Sequence, residues 1–429
     1  MMSEHFLQFI WKYQLFELSE LVCTSGEKVK VLHAGSQNGD AGPDFFNAKL
    51  QIDGQLWAGN VEVHQNTSDW LKHNHHTDKA YDSVIMHVVA NHDDVEITRT
   101  TGTPVKCAVL HFDKSLEARY REMISSSDWI PCERHINEVD RFLIKQFLGR
   151  LLVEKLGKKV EAIEHELKRT SSNWEEVSYI FLLRNFGFSI NSLPFELLAK
   201  ALPHQRILKH RNNRLSIEAL LFGQAGLLCN VEDDTYTKAL KLEYQFLSAK
   251  YKLKPLDRSV WKFLRTRPQN FPTIRIAQLA SLLHKHPSMF ASIVKCSSFE
   301  EFCTLFSDIE LSPYWKNHFV FGKPTVSQQK HLGNSALNLL GMNLLVPFVF
   351  AYGHLNDAYP LKEKALDMLD AISPDKNSVI DRWRRLGMPV KSAFYTQALL
   401  HLKKEYCDEK RCLCCPIGKK IVEGDVRMR

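Results

Sequence analysis

The sequence predicts an α/β domain followed by an all-α domain and a cysteine-rich tail. Three observations carry that prediction. Between residues 29 and 90 the apolar residues either alternate with period two or run without a break, the patterns of half-buried and central strands. From about Asp140 they recur three and four residues apart, the spacing of amphipathic helices. Four of the ten cysteines then crowd into residues 407–415. The expected units are 1–135, a mixed sheet flanked by helices; 136–406, all helical; and 407–429, a Cys-rich metal-binding tail.

Each element has its own warrant. Glu4 to Leu21 places Phe6, Ile10, Leu15, Phe16, Leu18 and Leu21 at helical spacing. After the Ser25-Gly26 turn, KVKVLHAG alternates, with Val29, Val31 and His33 on one face. NGDAGPDF is turn chemistry that stops one strand and starts the next. FFNAKLQI alternates again and ends at Asp53-Gly54, a hairpin signal, so LWAGNVEVH is the returning strand. Ser68 or Asp69 caps a helix in SDWLKHNHHTDKAY, and SVIMHVVA reads as a central buried strand. The order is helix, three strands, helix, strand. Downstream, FLIKQFLGRLLVEKLGKKVEAIEHELKR forms one long helix or two, and helical stretches follow from 174 to 406, one of them at 258–266.

Composition narrows the class. Apolar residues make up 44% and charged residues 24%, which excludes wholesale disorder, collagen-like repeats and a coiled-coil rod. The formal charge of +7 permits a polyanionic partner without requiring one. The start, MMSEHFLQFIWKYQLFELSEL, has no basic region or cleavage site of a secretory signal. The most apolar run, 336–352, is interrupted by Asn338, Gly341, Asn343 and Pro347 and reads as a buried helix kinked or ended at Pro347, not as a membrane span. A soluble, cytoplasmic protein is expected, with cysteines as thiols or metal ligands. No phosphate-binding GxxxxGK[ST] or GxGxxG loop, no GxSxG elbow and no HExxH helix occurs.

The chemistry gathers early. Seven of the 19 histidines lie between positions 33 and 92: His33, His64, His73, His75, His76, His87 and His92. Asp44 begins one strand, and Glu62 and His64 lie two apart on its hairpin partner, so they share a face. Two carboxylates on neighbouring strands can hold a hard cation such as Mg²⁺. His64 could then orient or deprotonate a water, or ligate the metal. His87, in an apolar strand, reads as a hydrogen-bonded structural residue.

Pro43-Asp44 followed by Glu62-x-His64 resembles the PD-(D/E)XK nuclease core. That resemblance implies Asp44 and Glu62 as ligands of Mg²⁺ or Mn²⁺, with His64 in place of the water-activating lysine. It also implies an acid from the first helix, Glu17 or Glu20. VEVHQNTSDWLKHNHH resembles the very-short-patch mismatch-repair endonucleases, which implies His64 and His73 as a catalytic pair. Over nearly its full length the chain resembles an uncharacterised bacterial domain-of-unknown-function family, through GPDFFNAKL, GNVEVHQNTSDWLKHNHH, ALLFGQAGLL, FLRTRPQNFPTIRIAQLA and CLCCPIG.

Two further features complete the reading. Cys407, Cys412 and Cys415 suit tetrahedral Zn²⁺ or an iron–sulfur cluster. The fourth ligand is open among Cys414, His401 and the distant Cys132; some PD-(D/E)XK nucleases carry a similar iron–sulfur staple. Residues 252–275 interleave Lys262, Arg265, Arg267 and Arg275 with Trp261, Phe263 and Phe271, a pattern that suits nucleic-acid phosphates and bases. The expected function is a metal-dependent nuclease acting on DNA or RNA. The alternatives are a non-catalytic nucleic-acid-binding or scaffolding protein, and a zinc hydrolase using His64, His73 and His75 with a carboxylate.

Overall fold

The computed structural model describes residues 3–17, 21–307 and 309–424. The chain forms two compact units, Met1–Phe147 with Leu402–Arg429, and Leu148–His401. The cysteine-rich tail thus belongs to the first unit.

The first unit opens with α1 (Glu4–Lys12), which buries Phe6, Leu7, Phe9, Ile10 and Trp11. It is shorter than the apolar spacing predicts, because Gln14 takes a left-handed φ of 53° and breaks the turn. Phe16 is buried all the same, stacking on Trp11 at 5.7 Å. Apolar spacing therefore continued past the helix that it seemed to define; Leu18 lies outside the described residues.

β1 (Val29–His33), β2 (Ser36–Gln37), β3 (Phe45–Ile52), β4 (Gln55–Asn66), β5 (Val84–Asn91) and β6 (Cys107–Val109) form one mixed sheet. Its order is β1-β3-β4-β5-β6, with β2 beside β3. β3 runs antiparallel to β1 and β4, whereas β4, β5 and β6 are parallel. Asp53 and Gly54 both take positive φ, 45° and 84°, the tight two-residue turn expected between β3 and β4. The six residues Val84–Val89 are all buried, as their unbroken apolar run requires. Gly59 lets β4 approach the start of β5: a Cβ there would lie 2.4 Å from Ile85. β2 and β6, of two and three residues, are too short to show a period.

Between β4 and β5 the expected helix shrinks to one turn, α2 (Asp69–Lys72), followed by 3-10 turns His75–Thr77 and Lys79–Tyr81. Asn74 is left-handed and Asp78 is extended, so neither continues an α-helix. After β6 comes α3 (Lys114–Ser125), started by Asp113, whose carboxylate accepts the Ser115 N–H at 2.8 Å.

α4 (Arg141–Arg169) is a single helix of 29 residues. The second unit is largely helical, with two departures from expectation. His318–Val320 and Lys323–Pro324 pair as a small hairpin. The stretch 258–266 holds only the 3-10 turn Arg258–Val260. Arg265 is left-handed there, at φ 60°. The apolar run forms helices Asn334–Leu340 and Val346–Leu355 with a π-helical segment Gly341–Leu345 between them. It is long and apolar enough to cross a membrane by composition, and 72% of its most apolar window is buried inside the protein, as in a core helix. Pro347 cannot donate to Asn343 O; that carbonyl instead takes Asn185 Nδ2, at 3.3 Å.

Candidate functional site

Strand register assembles the site. Phe45 pairs with Val61, which sets Asp44 beside Glu62. The Asp44 N–H donates to Glu62 Oε2 at 2.9 Å, and the Val63 N–H donates to Asp44 Oδ2 at 3.0 Å. Gln8 on α1 donates to Asp44 Oδ1 at 2.7 Å. Glu62 and His64 share one face of β4, with Glu62 Oε1 3.3 Å from His64 Nε2. On β5, His87 stands opposite Glu62, and its Nε2 lies 2.9 Å from His64 Nδ1.

Two more imidazoles arrive from the segment after α2. Asn74, at φ 63°, reverses the chain between His73 and His75, a conformation asparagine tolerates. His73 Nδ1 then lies 3.0 Å from His64 Nε2, and His75 Nε2 lies 3.4 Å from Glu62 Oε1. The ligand atoms of His64, His73 and His75 all fall within 4.8 Å of one another. Tyr81 stacks on His75 at 3.7 Å, and Trp70 meets it edge-on at 5.3 Å. Trp70 and Tyr81 belong to an apolar cluster with Val84, Ile97 and Val105, so the imidazole is held by packing.

Burial dominates the electrostatics of this group. Glu62 is 4% exposed and His64 2%, while His73 is open to solvent. Burial, with the Glu62 charge, pushes the Asp44 carboxyl up to about 7. Burial, with the Glu4 charge, pushes Glu62 up likewise. Burial and the neighbouring imidazoles drive His64 far down, and burial lowers His75. His64 and His75 are thus neutral, the ligand form. Three imidazole nitrogens with a carboxylate oxygen form a donor set suited to Zn²⁺, Mn²⁺ or Fe²⁺. Mg²⁺ prefers oxygen ligands.

Asp44, Glu62, His64 and His73, all singled out in the sequence, are therefore together. The first-helix acid that bears on the pair is Glu4, whose charge reaches Asp44 and Glu62. The amide of Glu17 instead joins His111 O at 2.9 Å, and Glu20 lies outside the described residues. Glu4 and Gln8 stand four apart, on one helix face, and that spacing was the available signal. His87 is buried and hydrogen-bonded as expected, but its partner is the site residue His64.

The other candidates are distributed as follows. Cys132, Cys412 and Cys415 are buried and Cys407 is half-buried; none of the ten cysteines forms a disulfide. Burial pushes the Cys132 and Cys407 thiols up, and neighbouring thiols add to it: Cys415 and Cys412 for Cys132, and Cys132, Cys415 and Cys412 for Cys407. Cys414 is exposed, and His401 Nε2 is engaged by Glu154 Oε1 at 3.1 Å. Lys262, Arg265 and Arg267 are exposed. Arg275 does not share that surface. It is 5% exposed, donates to Asn270 and Gln278, and lies 4.5 Å over the Phe188 ring. It lies in a helix, Pro272–Lys285, in which every residue from Pro272 to Leu283 is buried, so no face is left for solvent. Trp261 is buried too, donating to Ala225 O at 2.7 Å.

No curated protein and no solved structure matches this chain. One family model does, described as "Protein of unknown function (DUF2851)". The CLCCPIG motif falls beyond the matched part. With residues 4–378 matched, the chain belongs to that DUF2851 family.

Proposed function

We propose that the first unit is a metal-dependent nuclease of PD-(D/E)XK character, with His64 at the lysine position. The observation that carries this reading is the convergence of Asp44, Glu62, His64, His73 and His75 on one face of the sheet. The frame supports it: three antiparallel strands, a helical crossover, then a parallel strand. Glu62, His64, His73 and His75 would hold the metal, and the donor set favours Mn²⁺ or Zn²⁺ over Mg²⁺. A bound metal supplies a water of lowered pKa and neutralises phosphoryl charge.

The chain's own residues have separable tasks. Asp44 fixes Glu62 by accepting the Val63 N–H and donating its own amide. Binding metal through His64 Nε2 requires the His64 proton on Nδ1, donated to His87 Nε2. His73 would ligate from the open, solvent-exposed side, where substrate would enter. Lys262, Arg265 and Arg267 would contact the phosphates of DNA or RNA.

The nitrogen-rich donor set also favours a second reading, a metallohydrolase of another substrate through the same three histidines. Cleavage assays on single- and double-stranded DNA and RNA with Mg²⁺, Mn²⁺ or Zn²⁺ test the proposal. Metal-dependent cleavage that Glu62→Gln abolishes is expected. Full activity in Glu62→Gln would overturn the assignment. Salt-sensitive binding without turnover would point to a non-catalytic nucleic-acid-binding protein.

A further inference from the structure

The tail of the first unit is folded so as to gather thiols. A π-helical turn, Lys403–Cys407, delivers Cys407. The Arg411 N–H reaches back to Tyr406 O at 2.8 Å and the Lys410 N–H to Cys407 O at 3.2 Å, which closes the loop to Cys412. Cys412–Cys414 is a 3-10 turn, and the Cys415 N–H donates to Cys412 O at 3.1 Å. Two cysteines three apart thus flank one tight turn, the local geometry of a zinc knuckle. Cys415 leads into the helix Pro416–Glu423. That helix sits hard on the turn: a Cβ on Gly418 would lie 2.4 Å from Cys412 O.

Cys132 comes from far upstream, in a turn where its carbonyl accepts the N–H groups of His135 (3.1 Å) and Ile136 (2.9 Å). Several contacts hold the tail against that neighbourhood. Lys410 Nζ donates to Ile124 O at 2.6 Å, and Arg119 Nε donates to Val422 O at 2.8 Å. Lys403 Nζ lies 5.2 Å over Trp129, and Tyr406 meets Phe147 edge-on at 5.7 Å. Cys132 and Cys407 each lie within electrostatic reach of Cys412 and Cys415 and of each other. None of the four is in a disulfide.

We propose that Cys132, Cys407, Cys412 and Cys415 bind metal through four thiolates, in a structural centre that fastens the tail to the segment around Cys132. The loop between Cys407 and Cys412 reads Asp408, Glu409, Lys410, Arg411 and offers no apolar side chain to a core. Cys407, Cys412 and Cys415 thus bracket a charged loop, an arrangement that shared coordination would hold. Zn²⁺ and an iron–sulfur cluster use the same thiolate chemistry. Four sulfur ligands would fill such a centre and leave no open position, so its role is structural, unlike the histidine site.

Elemental analysis and X-ray absorption on the full-length chain as expressed test this. They are applied to a His64→Ala/His73→Ala variant, so that the histidine site contributes nothing. One equivalent of zinc in a sulfur-only shell at ~2.3 Å is expected. Iron with acid-labile sulfide would equally support the four-thiolate site and identify a cluster as the occupant. The absence of both metals, with the four thiols reacting freely in the native protein, would overturn the proposal. Cys132→Ser should lose the metal and Cys414→Ser should keep it. Loss in Cys414→Ser would overturn this ligand set even if Cys132→Ser does not fold. No arm of the experiment reads cleavage, so failure of the nuclease reading leaves it intact.

Discussion

The histidine–acid group and the basic stretch 252–275 behave in opposite ways. Asp44, Glu62, His64, His73 and His75 are spread over some thirty positions, yet their polar atoms meet. The basic and aromatic residues of 252–275 are neighbours in sequence, yet the fold scatters them. Lys262, Arg265 and Arg267 face solvent, while Trp261 and Arg275 are buried. The difference lies in what positions each residue. Strand pairing fixes Asp44 against Glu62 and Glu62 against His87, and period two fixes Glu62 with His64. In the basic stretch, short turns and the start of one wholly buried helix decide each residue separately.

Substitutions can break or sharpen that contrast. Glu62→Gln keeps the shape and removes the charge that touches His64 and His75. It should lower metal-dependent turnover by about 10³-fold, measured as kcat. His73→Ala should cost about 10²-fold in kcat. Because His73 is exposed, the unfolding free energy without metal should move by less than ~0.5 kcal/mol. A larger loss of stability would mean that His73 is structural.

In the other region, Arg275→Ala should cost about 2–3 kcal/mol in denaturant unfolding, since two hydrogen bonds to a buried charge are lost. It should leave the salt dependence of nucleic-acid binding unchanged. The acid pair gives a pH test with a defined sign. Its folded pKa values lie near 7, above the ordinary carboxylate range of ~4. Without metal, the protonated pair contributes stability that is fully present below ~4 and lost as the pH rises through 7. A metal must displace that proton, so its affinity should rise about tenfold per pH unit up to pH ~7 and level off above. Titration calorimetry in buffers of different ionisation enthalpy reads the proton released. The smallest effect is expected at the exposed basic residues. Each of Lys262→Ser, Arg265→Ser and Arg267→Ser should flatten log K against log salt by about 0.9 if it contacts a phosphate.

Much of the first unit was legible because β3, β4 and β5 carry long, clean patterns. The Asp53-Gly54 turn sets the register as far as Ala48 opposite Gly59; a bulge there, with Asn47 at φ 58°, shifts it by one residue and brings Asp44 to Glu62. What escaped was short or depended on single dihedrals. α2 stops after one turn, and the left-handed Asn74 aims His75 at Glu62, which no periodicity reveals. Glu4 is not legible in the sequence because apolar spacing extends the expected helix to Leu21 and points to acids at its far end, whereas α1 ends at Lys12. Arg275 is not legible as a buried residue because its helix is buried on every side, Thr273, Gln278 and Ser281 included, and neither charge nor apolar spacing reveals that.

The central claim is that Glu62, His64, His73 and His75 hold one catalytic metal. Anomalous diffraction from crystals soaked in Mn²⁺ tests it most directly. The account predicts a single strong peak bounded by His64 Nε2, His73 Nδ1, His75 Nε2 and Glu62 Oε1, absent in His64→Ala crystals. No peak there at saturating Mn²⁺, or one that survives in His64→Ala, would contradict it.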